Sequence, residues 1–474
     1  MFIPVLVSLL FVAPSRIAVK QTSPVDQIMA EIKDRGHAMD DLAYLCDVLG
    51  PRLTGSENLE KAENWALDKM KEYGAENAHL ETYEYPSRWV RGKDDYLRML
   101  TQSGRQIEVH AMPWNPATKG LVEADVALLS GPIEDVAKNV DKFKGKIVLL
   151  GQLTPTSDME QSTRLRKQIF KDLLTRAVAL LASLEHEDGK FTMYGSPSDA
   201  YFDEYFGGWP RLPFGFLTSE DRTMLGRLVK KGEHVRLQLR LGGSITKAPV
   251  AEHNVVGEIR GTEKPDEVVI VGGHLDSWDL GTGATDNGTG SIATLESLRA
   301  MKKLGLKPKR TIRFVLFSGE EQGSYGAKAY VDAHKKELSN VQAVLIHDLG
   351  AGKPDGYTVQ GYREWMPMLK DAIAPLAGIG VTKILVEQHW DSDEDPFVVE
   401  GVPGFFLDQD IKDYFASTHH SQTDMFDHVK ADEYLPSVQA LAVATWQFAN
   451  MDARVPHVAP GNMVGPGKDS PSGS

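Results

Sequence analysis

Apolar segments of strand length alternate with helical segments along the second half of the chain. Because a strand buried on both faces is a continuous hydrophobic run, strands are predicted at residues 267–273, 311–317, 341–346 and 404–408. The spacing of apolar residues predicts helices at about residues 290–304, 323–335 and 431–451. This alternation predicts an α/β fold in which helices cover both faces of a sheet.

The first part of the chain has a different pattern. Helical spacing runs from residue 25 to about residue 73, with a break at LGPRLTGS (49–56). Within this break, Thr54 and Glu57 fit a capping box that opens the second helix. A strand is predicted at 79–85, where apolar and polar residues partly alternate.

The middle of the chain is interpreted as an inserted domain, because none of the candidate ligands described below falls in it. A helix is predicted there from Gln161 to about Glu185, followed by a loop rich in glycine and aromatic residues. Strand-like runs occur at 121–129, 145–151 and 234–241. The predicted organisation is a signal peptide (1–21), the first part of the main domain (22–115), the insert (116–250), the second part of the main domain (251–453) and a disordered tail rich in Pro, Gly and Ser (454–474).

Composition and charge narrow the function. The chain is 42% hydrophobic and 25% charged, which is typical of a soluble globular enzyme. Its formal charge of -14 argues against nucleic acid or an anionic membrane surface as a partner. The single cysteine, Cys46, excludes an intrachain disulfide, and its place in DLAYLCDVLG predicts a buried thiol.

The N-terminal run MFIPVLVSLLFVA is too short to span a bilayer and has the length of a signal-peptide core. It predicts a secreted or periplasmic protein. No Lys or Arg precedes the run, so a frayed start that is not an export signal is the alternative. No other segment is apolar enough to predict a membrane span.

Five candidate metal ligands follow predicted strands, open a predicted helix or lie near the end of the main domain. Two are imidazoles and three are carboxylates, a set that fits a pair of zinc ions because one carboxylate can bridge two metals. They are His274, Asp286, Glu321, Asp348 and His420.

A second carboxylate, Glu320, precedes the candidate ligand Glu321 directly. Adjacent side chains at the end of a strand can point to different sides. One can therefore bind metal while the other deprotonates water. Taken singly, this doublet is typical of a solvated pair, and Asp286 of a helix N-cap. Together the candidates place ligands after three successive strands, at the carboxyl edge where open α/β sheets form their sites.

The segments GGHLDSWD, GATDNGTG, FSGEEQGSYGA, HDLGAG, SDEDPF, GVPG and HHSQTD resemble the M28 family of dinuclear zinc exopeptidases. The resemblance covers roughly residues 25–450. It implies a mixed twisted sheet flanked by helices, and it implies that the insert is a mainly-β protease-associated (PA) domain. The implied activity is hydrolysis of dipeptides or short peptides. Relatives are often dimers, whereas the sequence itself is silent on assembly.

The resemblance also implies which residues hold the two zinc ions. His274 and Asp348 would hold one ion, Glu321 and His420 would hold the other, and Asp286 would bridge them. His420 is preferred over its neighbour because the family places its last histidine four residues before an acid that matches Asp424.

Further roles follow from the same resemblance. Glu320 would be the general base and then the acid to the leaving amine. Asp276 would orient the first histidine ligand, and His419 would hydrogen-bond the tetrahedral intermediate. The family's peptide bond after the bridging aspartate is often cis, so Asp286–Asn287 is expected to be cis.

The sequence leaves open which end of the peptide is trimmed. An aminopeptidase needs a carboxylate for the substrate ammonium, and Glu394 or Asp395 could serve. A carboxypeptidase needs a cation or backbone donors for the terminal carboxylate, and Arg52 or Lys412 could serve. The chain also has Ser-Asp-Glu at 392–394 where many family members have Ser-Asp-His. This segment lies near the substrate pocket in relatives, so the difference bears on substrate specificity and not on metal binding.

Two other classes compete with the exopeptidase. A mononuclear glutaminyl cyclase has a related core, and a receptor of the transferrin-receptor type has lost its metal ligands. The complete five-ligand set favours the two-metal hydrolase. Counting metals would separate the three, because they hold two, one and no zinc ions per chain.

Overall fold

The computed structural model describes residues 22–184, 186, 188–198, 211–246, 248–389, 392–411 and 413–459. The predicted signal peptide, the aromatic loop from Tyr201 to Trp209, Lys412 and residues 460–474 lie outside the described residues. Among the helices of the described residues, none is both long and apolar enough to cross a membrane.

The strands and helices are numbered separately along the chain. The strands are β1 (Glu76–Tyr85), β2 (Trp89–Val90), β3 (Tyr96–Met99), β4 (Gln106–Ile107), β5 (His110–Ala111), β6 (Val122–Pro132), β7 (Ile147–Thr154), β8 (Ala179–Ala182), β9 (Phe214–Phe216), β10 (Arg236–Arg240), β11 (Ser244–Ile245), β12 (Val250–Ile259), β13 (Lys264–His274), β14 (Arg310–Phe317), β15 (Val341–Ile346), β16 (Pro354–Thr358), β17 (Lys383–Leu385) and β18 (Gly404–Gln409). The α-helices are α1 (Pro24–Arg35), α2 (Ala38–Ala43), α3 (Glu57–Glu72), α4 (Ile133–Lys138), α5 (Met159–Arg176), α6 (Ser219–Lys230), α7 (Thr289–Lys303), α8 (Tyr325–Ala333), α9 (Met366–Ile373), α10 (Asp395–Val399) and α11 (Ala431–Asn450).

The main sheet has the order β1-β12-β14-β13-β15-β18-β16-β17. Its centre, from β14 through β13 and β15 to β18, is parallel. The pairs β1–β12, β12–β14 and β16–β18 are antiparallel. The predicted α/β class with a mixed sheet is confirmed, and the four central strands begin within three residues of their predicted positions.

Both faces of this sheet are buried, as the continuous apolar strands predicted. On β13, Val269 and Val271 belong to a core that includes residues of α1, α3, α7 and α11. The alternate residues Val268 and Ile270 pack on the opposite face with residues of α8 and α10. Burying a Val or Ile side chain stabilises the fold by about 1.5–3 kcal/mol. This packing fixes the strand ends that carry the candidate ligands.

The second sheet has the order β4-β3-β10-β6-β7-β8-β9-β5. Strands β3, β4 and β5 lie before residue 116, so we propose that the inserted unit begins earlier than the sequence analysis placed it. The helix predicted to reach about residue 185 instead ends at Arg176. The apolar segment that follows it is strand β8, which is fully buried and pairs with both β7 and β9.

The start of α3 also differs from the prediction. Ser56 is the N-cap, and its hydroxyl accepts a hydrogen bond from the Leu59 N–H at 3.1 Å. The hydroxyl of Thr54 instead donates to the buried carboxylate of Asp276 at 2.8 Å. The predicted capping box from Thr54 to Glu57 is therefore wrong, because a contact distant in sequence uses the Thr54 side chain.

The beginning of the predicted disordered tail is packed against the main domain. Val455 is 1% exposed, and its N–H donates to the Gln342 side chain at 3.3 Å. The carbonyl of Pro456 accepts a hydrogen bond from the Trp365 indole at 2.9 Å. The prediction of disorder from residue 454 is thus wrong for the part up to residue 459, where these backbone groups find partners in the core.

Candidate metal centre

The parallel strands bring the candidate ligands to one edge of the main sheet. His274 is the last residue of β13. Glu320 and Glu321 follow β14, and Asp348 follows β15. The other two come from segments beside this edge: Asp286 from the turn before α7, and His420 from the loop after β18.

The five side chains form two halves that share Asp286. In the first half, His274 Nε2 lies 3.1 Å from Asp348 Oδ1 and 3.3 Å from Asp286 Oδ1. In the second half, His420 Nε2 lies 3.1 Å from Glu321 Oε2 and 3.5 Å from Asp286 Oδ2. Each oxygen of Asp286 therefore faces a different half. This is the arrangement that a bridging carboxylate between two metal ions requires.

The chemistry of this cluster fits metal binding. His274, Asp286 and Glu321 are buried, and Asp348 and His420 are partly buried beside them. Buried carboxylates are costly unless a cation compensates them. Asp286 Oδ2 and Glu321 Oε1 are buried and have no hydrogen-bond partner among the described residues. Ligand atoms of His274, Asp286 and Glu321 all lie within 4.8 Å of one another. Nitrogen and oxygen donors in this number suit zinc.

Glu320 lies where the cluster of candidate ligands borders a cavity. It lines a cavity of about 920 Å³ together with four of the five candidate ligands and His419. Glu320 Oε2 lies 3.8 Å from His274 Nε2. Burial raises the pKa of Glu320 well above its ordinary value, with a further contribution from the charge of Asp348. Glu320 is therefore a buried carboxyl group at the cavity wall beside the candidate ligands.

Asp276 contacts residues of both halves of the site, His274 in the first and the backbone of Glu321 in the second. The His274 Nδ1–H donates to the Asp276 carbonyl at 3.0 Å, which directs Nε2 toward the cluster. The Asp276 carboxylate lies 3.5 Å from the same nitrogen. It accepts the backbone N–H groups of Glu320 and Glu321 at 3.3 and 3.4 Å. The Thr54 hydroxyl, which sequence reasoning missed, completes this set.

The turn that carries Asp286 is fixed from two sides. Asp424 accepts the N–H groups of Thr285 and Asp286 at 2.7 and 3.0 Å. The Asn287 side chain donates to the His347 carbonyl at 2.8 Å. The peptide bond between Asp286 and Asn287 is cis, as expected from the resemblance. Burial raises the pKa of Asp424 to about 7.

The two adjacent histidines occupy different places. His420 contacts Glu321 and Asp286, as described above, whereas His419 lines the cavity beside it. Their rings stack with centroids 3.8 Å apart. His420 has a backbone φ of +55°, an uncommon conformation for a residue other than glycine. Ligand atoms of Asp286, His419 and His420 lie within 4.8 Å of one another, so both rings stand beside the shared carboxylate.

Arg52, a candidate anchor for a substrate carboxylate, does not reach the cavity. Its side chain is fully buried, and its guanidinium donates to the backbone carbonyls of Leu275, Thr282 and Gly283 at 2.6–2.8 Å. The prediction that Arg52 could bind substrate is wrong, because its donors hold the segment between two candidate ligands.

The remaining candidate anchors have different positions. Glu394 is fully buried and accepts a hydrogen bond from the Gln360 side chain, so it is not a cavity residue. Asp395 lines the cavity and is half-buried at the start of α10. Lys412 lies outside the described residues. Lys328 also lines the cavity, although the sequence analysis did not single it out.

Comparisons with known proteins identify the family and the fold. A sequence profile of peptidase family M28 matches residues 254–444. The M28 peptidase precursor of Shewanella amazonensis SB2B has a TM-score of 0.77 and 25% identity, over 92% of this chain and 98% of that one. An aminopeptidase from Aneurinibacillus sp. strain AM-1 shares the fold, with a TM-score of 0.63 at 20% identity over 92% and 98% of the two chains.

Sequence similarity extends over most of the chain. Carboxypeptidase Q of Pongo abelii is 33% identical over 427 residues, which cover 90% of this chain and 88% of that protein. The chain therefore belongs to peptidase family M28 and is a metallo-exopeptidase. Within that family it is similar to carboxypeptidase Q. The human carboxypeptidase Q is 32% identical to this chain, over 90% of this chain and 88% of that protein.

Proposed function

We propose that the protein is a dinuclear zinc exopeptidase of the carboxypeptidase Q type that hydrolyses dipeptides or short peptides. The observation that carries this proposal is the position of Asp286, whose two oxygens face the two halves of the ligand cluster. A mononuclear cyclase has no need of such a bridging carboxylate, and a receptor has no need of any ligand set.

His274 and Asp348 would hold one zinc ion, Glu321 and His420 the other, and Asp286 both. When bound, a zinc pair supplies Lewis acidity and makes water acidic enough to lose a proton near neutral pH. The chain's own residues then handle the proton and the substrate.

Glu320 is the general base in this proposal. Its carboxylate takes a proton from the water while the water oxygen attacks the carbonyl carbon of the scissile bond. His419 lines the same cavity and donates a hydrogen bond to the developing oxyanion. As the tetrahedral intermediate collapses, the C–N bond breaks and Glu320 returns the proton to the leaving amine. Asp276 holds His274 and the backbone of Glu320 in place throughout.

An M28 aminopeptidase is the second candidate function. Asp395 lines the cavity, where its carboxylate could bind the ammonium group of a free N-terminus. Lys328 also lines the cavity and could bind a terminal carboxylate. A dipeptide with both ends free would satisfy both groups, which is why we place dipeptides and short peptides first.

The test uses a tripeptide with three distinguishable residues, zinc-loaded protein and a chelator control. Mass spectrometry of early time points shows which bond breaks first. Early release of the C-terminal residue supports a carboxypeptidase, and early release of the N-terminal residue supports the aminopeptidase. Cleavage of dipeptides alone supports a dipeptidase. An absence of chelator-sensitive cleavage, with fewer than two zinc ions per chain, would contradict the proposed function.

We also propose that the inserted unit is a PA domain and that residues 1–21 direct export. The second sheet, which forms a unit beside the main one, supports the first proposal. The apolar N-terminal run supports the second. N-terminal sequencing of the protein recovered from the medium or periplasm would test export, since a cleaved signal removes about the first 21 residues.

A further inference from the structure

The inserted unit contacts the loop that carries the two histidines of the site. The contact is made by residues that follow β8, namely His186 and residues 188–194. Together these residues are named the clamp segment. An isolated β-bridge pairs Thr192 of this segment with Ser421. A unit that contributes no candidate ligand thus reaches the backbone next to one.

The carbonyl groups of both histidines accept hydrogen bonds from the insert. His186 Nε2 lies 2.6 Å from the carbonyl oxygen of His419. Because a carbonyl can only accept, this nitrogen carries a hydrogen. The N–H of Met193 donates to the carbonyl of His420 at 2.8 Å. Both peptide groups that flank the His420 Cα are therefore held by the insert.

The clamp segment holds the same loop by further contacts. The N–H of Phe191 donates to the Gln422 side-chain oxygen at 2.8 Å, and the Gln422 amide donates to the Gly189 carbonyl at 3.2 Å. The ring of Tyr194 packs edge-on against the His420 imidazole, with centroids 4.5 Å apart. Backbone and side chain of His420 are thus both in contact with the insert.

The N–H groups on either side of His420 bond within the loop. The N–H of His419 donates to the Tyr414 carbonyl at 2.9 Å, and the N–H of Ser421 donates to the Thr418 carbonyl at 3.0 Å. His420 between them has a positive φ, a strained conformation for a residue other than glycine that persists only when its surroundings fix it. The clamp segment supplies that constraint from the opposite side.

We propose that His186 is a positioning residue for the second half of the metal site, the half formed by Glu321 and His420. Its imidazole fixes the peptide group between His419 and His420, and so fixes the direction of the His420 ring. The inference rests on the proposed function for the identity of the metal. It predicts that loss of the His186 donor lowers the affinity for the zinc ion at Glu321 and His420 and leaves the affinity for the ion at His274 and Asp348 unchanged.

The test compares His186→Leu, which removes the donor, with His186→Gln, whose amide can donate from a similar position. The matched control is His234→Leu, because His234 lies in the same inserted unit and contacts Asp125 on the surface. Zinc content is measured after equilibration in zinc-buffered solutions, and the two affinities come from competition with a chromogenic chelator. Thermal unfolding of each variant confirms that it folds.

We expect the wild type and His234→Leu to bind two zinc ions alike. His186→Leu should keep one ion and release the other at a free zinc concentration about 10–100-fold higher, the usual effect of removing a partner behind a ligand. His186→Gln should recover most of the lost affinity. Unchanged binding of both ions by a folded His186→Leu would overturn the inference, and so would an equal loss of both ions in both His186 variants.

A second variant keeps the inference testable if His186→Leu does not fold. Gln422→Met removes two of the contacts between the clamp segment and the loop, and this side chain is only half-buried. This substitution should also lower the affinity for only the second zinc ion, by a smaller factor than His186→Leu. A wild-type protein with fewer than two zinc ions would contradict the proposed function as well. Two ions in the wild type with no effect of either substitution would contradict this inference alone.

Discussion

The adjacent carboxylates Glu320 and Glu321 permit a sharp test of the site, because the same substitution should have different effects at the two positions. Glu320 lines the cavity, where a water and a substrate can reach it. Glu321 Oε2 lies 3.1 Å from His420 Nε2, in the second half of the ligand cluster. We therefore expect Glu320→Gln to remove the base and leave both metals, whereas Glu321→Gln should remove a metal ligand.

The size of the effect at Glu320 follows from its proposed role. General base catalysis contributes about 10²- to 10⁴-fold to a rate, which corresponds to about 2.7–5.4 kcal/mol of transition-state free energy. Glutamine has nearly the same shape as glutamate, so the fold should be retained. Burial already disfavours the charge of Glu320, which is a further reason to expect little loss of stability.

The assay measures kcat and KM on a chromogenic dipeptide, together with zinc content, for the wild type and both variants. For Glu320→Gln we expect two zinc ions, a nearly unchanged KM and a kcat lower by at least about 100-fold. For Glu321→Gln we expect about one zinc ion and a kcat that partly recovers when zinc is added in excess. A Glu320→Gln protein with a kcat within tenfold of the wild type would refute the assignment of the base, and so would loss of a zinc ion from that variant.

Three further substitutions test other parts of the structure. Thr54→Val removes the hydroxyl that donates to Asp276. We expect kcat/KM to fall by roughly tenfold, which corresponds to about 1.4 kcal/mol, with both zinc ions retained. An unchanged kcat/KM, or full activity loss in Thr54→Ser, would contradict this role. Arg52→Met removes the side-chain donors to the carbonyls of Leu275, Thr282 and Gly283, of which Gly283 keeps a bond from the Gly288 N–H. It should lower the free energy of unfolding in urea by at least about 2 kcal/mol; a smaller change would contradict it. The hydrogen bond to Glu81 raises the pKa of His334 in the folded protein. The stability that this interaction contributes is therefore complete below the unfolded-state pKa of the histidine and is lost as the pH rises through its folded-state pKa. The free energy of unfolding of the wild type should exceed that of His334→Gln by more at pH 5.5 than at pH 8.5, and a pH-independent difference would refute this.

The ligand positions on the main sheet could be predicted because they depend on regular structure. Parallel strands end at a common edge, so His274, the Glu320–Glu321 pair and Asp348 had to lie near one another once the strands were recognised. Each follows a buried strand by at most a few residues. Asp286 was singled out because it opens a predicted helix, and His420 was preferred over His419 through the family resemblance, since neither lies at a strand end. The cis peptide after Asp286 was expected on the same ground.

The residues that support these ligands could not be predicted in the same way. Thr54 is separated from Asp276 by 222 residues, and its local sequence fitted a helix cap equally well. Arg52 has the residue type of a carboxylate anchor, but its burial against three backbone carbonyls depends on how two distant loops pack. Sequence spacing carries no information on such contacts. The same limit applies to the beginning of the predicted tail, where Val455 is buried against the core.

His186 shows why this limit matters for function. It lies 233 residues before His419, in a unit that the sequence analysis separated from the site because it holds no ligand. The insert supplies none of the five candidate ligands, yet it holds both carbonyls of the histidine pair. Because a metal ligand must be fixed in direction as well as in type, a protein without the insert would keep all five ligands and still lose the direction of one. Removing the insert should therefore impair the second half of the metal site before it impairs the first.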